Sequence, residues 1–298
     1  MAELGFDGKV AIITGAGGGL GRQHALLLAK RGALVVVNDL GGAVDGTGSD
    51  KGAAERVVDE IKALGGEAVA DTNSVATPEG GAAIVQSASD AFGKVDIVIN
   101  NAGILRDKAF HNMEPALMNP VFDVHLKGAF HVTQPAFVKM RAQGYGRIVS
   151  TSSAAGVFGN FGQTNYGAAK MGLVGLTRVL AVEGAKFNIK ANVIAPLALT
   201  RMTENIMSGT MAERIVPELI SPIAAYLAHE DCDATGRIFS VGGGRVAEVF
   251  IGETPGYYKA DLSIEDIRDQ WDAITNRDGY QVPANLGDEL KMFLPHFK

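Results

Sequence analysis

The chain has 298 residues, 47% of them hydrophobic, which is enough for one large α/β domain or two small ones with a sizeable core. A formal net charge of −6 and a pI near 5.6, with no block of Lys or Arg, argue against a nucleic-acid-binding surface. The single cysteine, Cys232, excludes an internal disulfide, agrees with a reducing compartment and is expected to be a structural thiol.

Targeting and metal-binding patterns do not occur in the sequence. No apolar run approaches the ~18 residues needed to span a bilayer, and the first residues carry no basic segment followed by an apolar stretch. The final residues, Pro-His-Phe-Lys, are not a Ser-Lys-Leu-type peroxisomal address, so we expect a cytoplasmic protein with no membrane partner. The six histidines are scattered, with no His-Glu-x-x-His or paired-cysteine motif, so we expect no metal site.

A glycine-rich turn follows the first predicted strand. Residues 9–14 form a β-branched apolar run, and residues 22–31 are predicted to be helical. Glycines permit positive φ and close backbone approach, and a helix N-terminus presents unpaired amides to a pyrophosphate. The candidate cofactor-binding residues in this turn are therefore Gly15, Gly19, Leu20 and Gly21. The Gly-x-x-x-Gly-x-Gly spacing departs from the dinucleotide-binding Gly-x-Gly-x-x-Gly pattern, and a flexible surface loop is the alternative.

The second predicted strand, residues 33–39, ends at Asp39, which lies 20 residues after Gly19. A carboxylate at this spacing binds the adenosine ribose in dinucleotide-binding folds. It accepts a hydrogen bond from a 2′-hydroxyl but repels a 2′-phosphate, and no Arg or Lys stands beside Asp39, so NAD is favoured over NADP. The alternative is a simple turn, because aspartate often begins turns at strand ends.

Predicted strands and helices alternate from here on. Residues 40–52 are predicted to be a surface loop, whose Asp45 and Asp50 lack a calcium-binding frame. Helices are then predicted at residues 53–64 and 78–92, and strands at 67–71 and 95–100. The alternation predicts an α/β fold, a single-domain Rossmann-like, doubly wound parallel sheet of about seven strands. Right-handed crossovers bring the strand ends, with Asp39, Ser74, Val75 and Asn101, to one edge, where ligands bind.

The second half of the chain continues the pattern. The predicted elements are a helical region at residues 116–142, strands at 146–151, 189–195 and 236–241, and helices at 165–184 and 217–229. Pro120 and Pro135 are expected to interrupt or kink the first helical region. Residues 197–216 are interpreted as a mobile substrate lid, although their methionines also suit gap filling. Residues 1–244 would be the dinucleotide-binding and catalytic domain, and 245–298 an extension packed on it, with a helix N-cap at Ser263 and its partner carboxylate at Asp266.

Residues 150–170 bring a hydroxyl, a phenol and an amine into one neighbourhood. Tyr166 and Lys170 are four residues apart, so one helix face carries both. We expect the Lys170 ammonium to lower the pKa of Tyr166, ordinarily ~10, toward the working pH of general acid–base catalysis. Ser153 follows a predicted strand and can hydrogen-bond a substrate oxygen. The three residues predict alcohol–carbonyl redox chemistry; a solvated helix pair is the alternative for an isolated Tyr-x-x-x-Lys.

Taken together, these motifs resemble the short-chain dehydrogenase/reductase family over the whole chain. The resemblance rests on Thr14-Gly-x-x-x-Gly-x-Gly21, Asp39, Asn101-Ala-Gly103, Ser153, Tyr166-x-x-x-Lys170 and Pro196. It implies that Tyr166 is the acid/base, that Lys170 binds the nicotinamide ribose and tunes Tyr166, and that Ser153 fixes the substrate oxygen. The other cofactor contacts that it implies come from Ser74, Val75, Asn101, Ala102, Gly103, Pro196, Ala198, Leu199, Thr200 and Arg201.

Within the family, the chain is similar to the (3R)-hydroxyacyl-CoA dehydrogenase domains of peroxisomal multifunctional enzymes. The similarity lies in residues 101–107, 145–149, 159–163 and the tail. It implies NAD-dependent oxidation of a (3R)-hydroxyacyl-CoA to the 3-ketoacyl-CoA, with a hydroxysteroid or a steroid side-chain CoA thioester as the alternative substrate. It also implies a homodimer or homotetramer, and a peroxisomal location if the chain is a fragment of such an enzyme.

Two further alternatives concern catalysis itself. A non-catalytic NAD-binding sensor or scaffold is possible on the same fold, because fold alone does not define function. Many family members carry Asn where His125 stands in this chain. A backbone carbonyl or His125 itself is therefore expected to hold the water of the proton relay.

Overall fold

Short segments rich in Val and Ile form the strands of this protein, as suits side chains that pack on a pleated surface. The computed structural model describes residues 3–50, 52–198 and 214–297, and within them eight strands form one sheet, in the order β3-β2-β1-β4-β5-β6-β7-β8. The strands are β1 (Val10–Thr14), β2 (Leu34–Asn38), β3 (Glu67–Asp71), β4 (Ile97–Asn100), β5 (Gly146–Thr151), β6 (Ile189–Pro196), β7 (Ile238–Gly242) and β8 (Arg245–Val249). Neighbouring strands from β3 to β7 are parallel, and Ile12 of β1 lies opposite Val36 and Val98.

Helices cover both faces of this sheet. They are α1 (Gly19–Lys30), α2 (Gly52–Ala63), α3 (Pro78–Phe92), α4 (Pro115–Phe122), α5 (Gly128–Gln143), α6 (Ala154–Phe158), α7 (Thr164–Gly184) and α8 (Ser221–Ala228). Buried side chains of α1, α2 and α8 pack with Ile13 and Val149 on one face, where Cys232 is also buried. Those of α3 and α5 pack with Val98 and Ile148 on the other face. The predicted doubly wound α/β fold is confirmed.

The eighth strand lies beyond the point where we predicted the sheet to end. Gly243 and Gly244 connect β7 to β8, and both have positive φ, at 56° and 80°. A connection of two such residues forms a tight hairpin, which joins antiparallel strands. We predicted that these glycines end the domain, whereas they turn the chain back along the sheet edge.

The predicted helical region at residues 116–142 is divided, but not at its prolines. Pro120 lies inside α4 and Pro135 inside α5. The division is a π-helical turn, Asp123–Lys127, between these two helices. Wider turns of this kind often occur at functional sites, and this one carries His125.

A third difference lies before β7. We predicted one helix over residues 217–229, whereas a 3-10 turn, Pro217–Leu219, precedes the shorter helix α8. Pro222, near the start of α8, has no N–H with which to extend a helix backward. Residues 199–213 lie outside the described residues, and with them most of the predicted lid.

The chain divides into two compact units, Met1–Glu248 and Val249–Lys298. Helices of the second unit are α9 (Ile264–Asp269), α10 (Trp271–Thr275) and α11 (Leu286–Phe293). The predicted cap of α9 is confirmed, because Ser263 and Asp266 form a reciprocal capping box. Hydrogen bonds from Lys259 and Ser263 lower the pKa of Asp266 to about 2. The packing of this extension on the dehydrogenase domain stays a prediction.

Candidate active site

The glycine-rich turn is tied to the end of β4 by hydrogen bonds. The Thr14 hydroxyl at the end of β1 accepts hydrogen bonds from the backbone N–H groups of Asn101 (3.0 Å) and Ala102 (3.1 Å). The Asn101 side-chain amide donates in return to the carbonyls of Thr14 (3.0 Å) and Gly15 (3.1 Å). The sheet order reverses between β1 and β4, and ligands of such sheets bind in the crevice at that point.

Two glycines in the turn leave no room for a side chain. Gly15 has φ of +65°, and a Cβ there would lie 2.7 Å from the Ala102 Cα. A Cβ on Gly21 would lie 2.3 Å from the Gly15 carbonyl oxygen, because the start of α1 packs against the turn. Gly21 is not among the residues that line the cavity described below, and its role as a cofactor contact stays a prediction.

Asp39, just after β2, is held by two backbone amides. Its Oδ2 accepts a hydrogen bond from the Gly17 N–H (2.8 Å), and its Oδ1 accepts one from the Gly41 N–H (2.6 Å). Each carboxylate oxygen can accept a second hydrogen bond. The carboxylate is thus fixed in orientation and still able to accept hydrogen bonds from a ligand.

A buried carboxylate that we did not predict lies beside this position. Asp71, at the end of β3, is 4% exposed and accepts hydrogen bonds from the side chains of Asn38, Asn73 and Ser87. It also accepts one from the Asn73 backbone N–H. Asn38 and Asn73 line the cavity described below. The available signal was an acidic residue directly after the small apolar run Ala-Val-Ala at the end of a strand. A carboxylate buried there needs hydrogen-bond donors around it.

A cavity of about 540 Å³ opens at this edge of the sheet. Its walls include most of the predicted site residues: Gly15, Gly19, Leu20, Asp39, Ser74, Val75, Asn101, Ala102, Gly103, Ser153, Tyr166, Lys170, Pro196 and Ala198. Leu199, Thr200 and Arg201, also predicted to contact the cofactor, lie outside the described residues. A cavity of this size suits a cofactor or another small-molecule ligand.

The predicted catalytic side chains lie close together in this cavity. Ser153 follows β5 and caps α6, where its hydroxyl accepts the Ala155 N–H (3.1 Å), and it is also hydrogen-bonded to Tyr166. Lys170, one turn further along α7, has its Nζ 5.5 Å from the centroid of the Tyr166 ring. The same Nζ donates to the Thr151 carbonyl at 2.5 Å. The structure therefore brings the predicted hydroxyl, phenol and amine close together.

The electrostatics of this group differ from the expectation. We predicted that Lys170 lowers the pKa of Tyr166. Burial instead raises the pKa of Tyr166, the negative charge of Asp107 adds to the rise, and the hydrogen bond with Ser153 opposes it. Burial also lowers the pKa of Lys170 from 10.5 to about 7. The predicted direction for Tyr166 is wrong, because burial disfavours charge on both partners.

His125 forms part of the cavity wall next to Tyr166. Its ring meets the Tyr166 ring edge-on, with the centroids 5.2 Å apart. Its Nε2 lies 3.0 Å from the Ile104 backbone nitrogen and 2.8 Å from the Ile104 carbonyl oxygen. Its Nδ1 is buried with no hydrogen-bond partner among the described residues. Burial and, secondarily, the charge of Lys170 lower the pKa of His125 well below 6.5, so the ring is neutral.

The position of His125 explains a glycine of the Asn101-Ala-Gly103 motif. A Cβ on Gly103 would lie 2.3 Å from the His125 Cε1. Only glycine lets the imidazole reach the Ile104 backbone.

The family of the chain follows from its sequence pattern. The pattern that defines short chain dehydrogenases matches residues 9–210, more than half of the chain. The chain belongs to the short-chain dehydrogenase family. It is therefore an enzyme that acts on CH–OH donors, in a family that uses NAD(P).

Relatives of similar length occur in Mycobacterium tuberculosis. One, named as a candidate short-chain type dehydrogenase/reductase, is 49% identical over 93% of this chain and 98% of that protein. Another, named hydroxyacyl-CoA dehydrogenase ChsB1, is 38% identical over 82% of this chain and 80% of that protein.

Solved structures of related proteins share the fold. The full-length peroxisomal multifunctional enzyme type 2 from Drosophila melanogaster matches 98% of this chain at 40% identity, with a TM-score of 0.84. The chain spans about half, 50%, of that structure. A 7α-hydroxysteroid dehydrogenase in complex with NADH and 7-oxo glycochenodeoxycholic acid matches 82% of this chain and 98% of its own, with 32% identity and a TM-score of 0.73.

In the described residues, no helix is long and apolar enough to cross a membrane. Nor does any group of three or more His, Cys, Asp or Glu among them lie close enough to hold a metal ion.

Proposed function

We propose that this chain is an NAD-dependent dehydrogenase that oxidises a (3R)-hydroxyacyl-CoA to the 3-ketoacyl-CoA. One observation carries the proposal. Ser153, Tyr166 and Lys170 line the same cavity as Asp39 and the glycine turn. The cavity therefore combines residues that suit a dinucleotide with side chains that can accept or donate the proton of an alcohol.

The residues at the sheet edge fit a nicotinamide dinucleotide. The turn at Gly15 has no space for a Cβ, so a pyrophosphate can approach its backbone at the start of α1. Asp39, held by two amides, has acceptor positions left for the ribose hydroxyls and would repel a 2′-phosphate. These features favour NAD over NADP, and the related hydroxysteroid dehydrogenase in complex with NADH supports a nicotinamide cofactor.

Proton transfer is proposed to occur at the Tyr166 hydroxyl. When bound, NAD supplies the hydride acceptor. Ser153 hydrogen-bonds the substrate oxygen while the phenolate form of Tyr166 accepts the hydroxyl proton. Because burial raises the pKa of Tyr166, the oxidation is expected to speed up as the pH rises.

Lys170 is proposed to hold the nicotinamide ribose. The Lys170 Nζ has two N–H donors as an amine and three as an ammonium, and one points to the Thr151 carbonyl, which leaves at least one donor for the ribose hydroxyls. The remaining contacts proposed for the cofactor come from Leu20, Ser74, Val75, Ala102 and Gly103 in the cavity wall, and from Pro196, Ala198, Leu199, Thr200 and Arg201.

The acyl-CoA substrate is supported by relatives. The chain is similar to a peroxisomal multifunctional enzyme and to a protein named hydroxyacyl-CoA dehydrogenase. A hydroxysteroid, or a steroid side-chain CoA thioester, is the second candidate, because the related 7α-hydroxysteroid dehydrogenase holds a bile-acid derivative. Because the chain spans half of the multifunctional enzyme, the activities of that whole enzyme are proposals only.

The test is NADH formation from (3R)- and (3S)-hydroxyacyl-CoA and from a hydroxysteroid, each with NAD and with NADP. Turnover of the 3R thioester with NAD alone is the expected result. Turnover of the steroid without the thioester would keep the mechanism and change the substrate. NAD binding without turnover of any of these alcohols would contradict the proposed reaction.

We also propose a homodimer or homotetramer, as the family resemblance implies, with residues 245–298 packed on the dehydrogenase domain. Sedimentation equilibrium of the full chain tests the first proposal; a monomer at micromolar concentration would contradict it.

A further inference from the structure

The loop at residues 40–50, expected to be only a surface loop, also forms part of the cavity wall. Its residues Ala43, Val44 and Gly46 line the cavity. The loop folds back on itself, because the Asp50 N–H donates to the Gly41 carbonyl (2.9 Å) and the Ala43 N–H donates to the Thr47 carbonyl (2.8 Å). It begins next to Asp39, at the end of the cavity proposed for the adenosine ribose.

This loop is fastened to the segment that follows β4. The Leu105 N–H donates to the Val44 carbonyl at 2.9 Å. The Nε of Arg106 donates to the Asp45 carbonyl at 2.8 Å. The 40–50 loop therefore closes against residues on the other side of the cavity opening.

The guanidinium of Arg106 has a second anchor. Its Nη1 donates to the Ala116 carbonyl at 3.0 Å. In an uninterrupted helix that carbonyl would accept the N–H of residue 120, and Pro120 has none. Arg106 satisfies the carbonyl that Pro120 leaves free, so the start of α4 holds the side chain in place.

The backbone of Arg106 also reaches the helix that carries Tyr166. Its carbonyl accepts a hydrogen bond from the Asn165 side-chain amide at 2.9 Å. The Asn165 side-chain oxygen in turn accepts the Tyr166 backbone N–H at 2.8 Å. One residue thus connects the 40–50 loop, α4 and the start of α7.

We propose that Arg106 is a positioning residue for the cofactor: it holds the 40–50 loop closed over the adenosine end of NAD, on the same frame that carries Tyr166. The inference rests on the proposed NAD dependence. A loop that is already ordered before binding loses little conformational entropy when the ligand binds. Loosening the 40–50 loop is therefore expected to weaken cofactor binding. The hydrogen bonds to Tyr166 use the backbone of residue 106, so they survive replacement of the side chain.

The experiment compares Arg106→Met with a matched control, Arg56→Met. Arg56 also contacts this loop, but through a pair with Asp50 on the exposed side. Arg106→Met is expected to raise the Kd for NADH about tenfold, because it removes two hydrogen bonds from a charged donor, while kcat at saturating NAD changes less than about threefold. Arg56→Met is expected to keep the Kd within about twofold of wild type.

Hydrogen exchange separates a local effect from a global one. The backbone amides of residues 41–50 and of Leu105 are expected to exchange faster in Arg106→Met, while those of the central strands keep their protection. Arg106→Lys, which keeps the charge but not the planar fork that reaches two carbonyls, is expected to give an intermediate Kd.

Gly46→Ala tests the same closure without touching Arg106. Gly46 has φ of +83°, and a Cβ there would lie 3.1 Å from the Ile104 Cδ1, so alanine is expected to displace the loop and raise the Kd for NADH. An unchanged Kd in Arg106→Met would overturn the inference; should that variant not fold, an unchanged Kd in Gly46→Ala would do so. A wild-type protein that binds no NADH would instead overturn the proposed cofactor, and the inference with it.

Discussion

The two ends of the cavity are built differently. At the end next to the glycine turn, polar side chains form several hydrogen bonds. Asp39 accepts hydrogen bonds from two backbone amides, and Asn101 donates hydrogen bonds to two carbonyls. At the other end, Lys170 and His125 are buried titratable groups with lowered pKa values. The His125 Nδ1 has no partner within the described part of the chain.

The two kinds of group suit different tasks: the groups at one end hold a ligand, and those at the other end transfer a proton. Groups tied to backbone amides and carbonyls keep one orientation, which suits recognition of a cofactor. Groups such as Lys170, whose pKa is about 7, change protonation near the working pH, and sites of this kind are where catalysis is found. Substitutions at the cofactor end should therefore weaken cofactor binding, whereas Tyr166→Phe at the other end should reduce turnover.

The largest effect is expected for Tyr166→Phe. The variant keeps the ring and its contact with His125 but loses the hydroxyl that is proposed to accept the proton. Turnover is expected to fall by roughly 10²–10⁴-fold while the Kd for NADH stays within about twofold. Steady-state kinetics and fluorescence titration of NADH measure the two quantities.

Tyr145→Phe is the matched control for this variant. The Tyr145 hydroxyl is buried without a partner among the described residues, and burial raises its pKa to about 12. Turnover in this control should equal that of wild type. A Tyr166→Phe enzyme with near-normal turnover would remove Tyr166 from the proposed mechanism.

The second effect concerns stability at the proton-transfer end. Burial lowers the pKa of Lys170 from 10.5 to about 7, so between these values the unfolded chain binds a proton that the folded chain does not. The stability of the wild type should therefore rise with pH across this window, and Lys170→Met should lack the rise. The expected difference between the two pH profiles is on the order of 5 kcal/mol of unfolding free energy.

Urea denaturation of both proteins at a series of pH values measures this difference. The Met variant should gain most, relative to wild type, below pH 7, where burial of the ammonium costs the folded wild type the most. Parallel profiles would mean that Lys170 keeps an ordinary pKa in the folded protein.

The third effect belongs to the cofactor end. Asp39→Ala removes the carboxylate and releases the Gly17 and Gly41 amides. The Kd for NAD is expected to rise about 10- to 100-fold, and discrimination against NADP to relax, because the charge that repels a 2′-phosphate is gone. Kinetics with both cofactors measure the change, with Asp50→Ala, which removes an exposed carboxylate from the 40–50 loop, as the control. An unchanged preference for NAD would refute the ribose role.

The cofactor end was largely predictable from sequence, because its residues follow strands that the sequence itself marks. Gly15 and Asp39 lie at strand ends that apolar runs mark, and parallel strands bring those ends to one edge. The Asp71 network was not predicted, since its partners come from β2, from the segment after β3 and from α3, which only the packed sheet brings together. The eighth strand was missed because two glycines suit a domain end as well as a hairpin.

The catalytic end was predictable in residue identity but not in electrostatics. The spacing of Tyr166 and Lys170 on α7 gives their shared face. Their pKa values depend on how deeply the surrounding helices bury them, and spacing does not report burial. The π-helical turn that carries His125 was not predicted either, because Pro120 and Pro135 indicate interruptions at other positions.

The smallest effect is expected at His125, because we predict that its imidazole does not take up a proton near pH 6.5 in the folded protein. Burial lowers the pKa of His125 well below 6.5, with Lys170 adding to the shift, so the folded protein keeps a neutral imidazole while the unfolded chain takes up a proton near pH 6.5. Stability should therefore decline as the pH falls below about 6.5. The His125 ring carbon signal in an NMR titration, assigned through its loss in His125→Asn, should stay constant across that pH. A midpoint near 6.5 would show that the His125 ring becomes charged next to Tyr166 and Lys170. The proton-transfer end would then lack one of the two groups with lowered pKa values that distinguish it from the cofactor end.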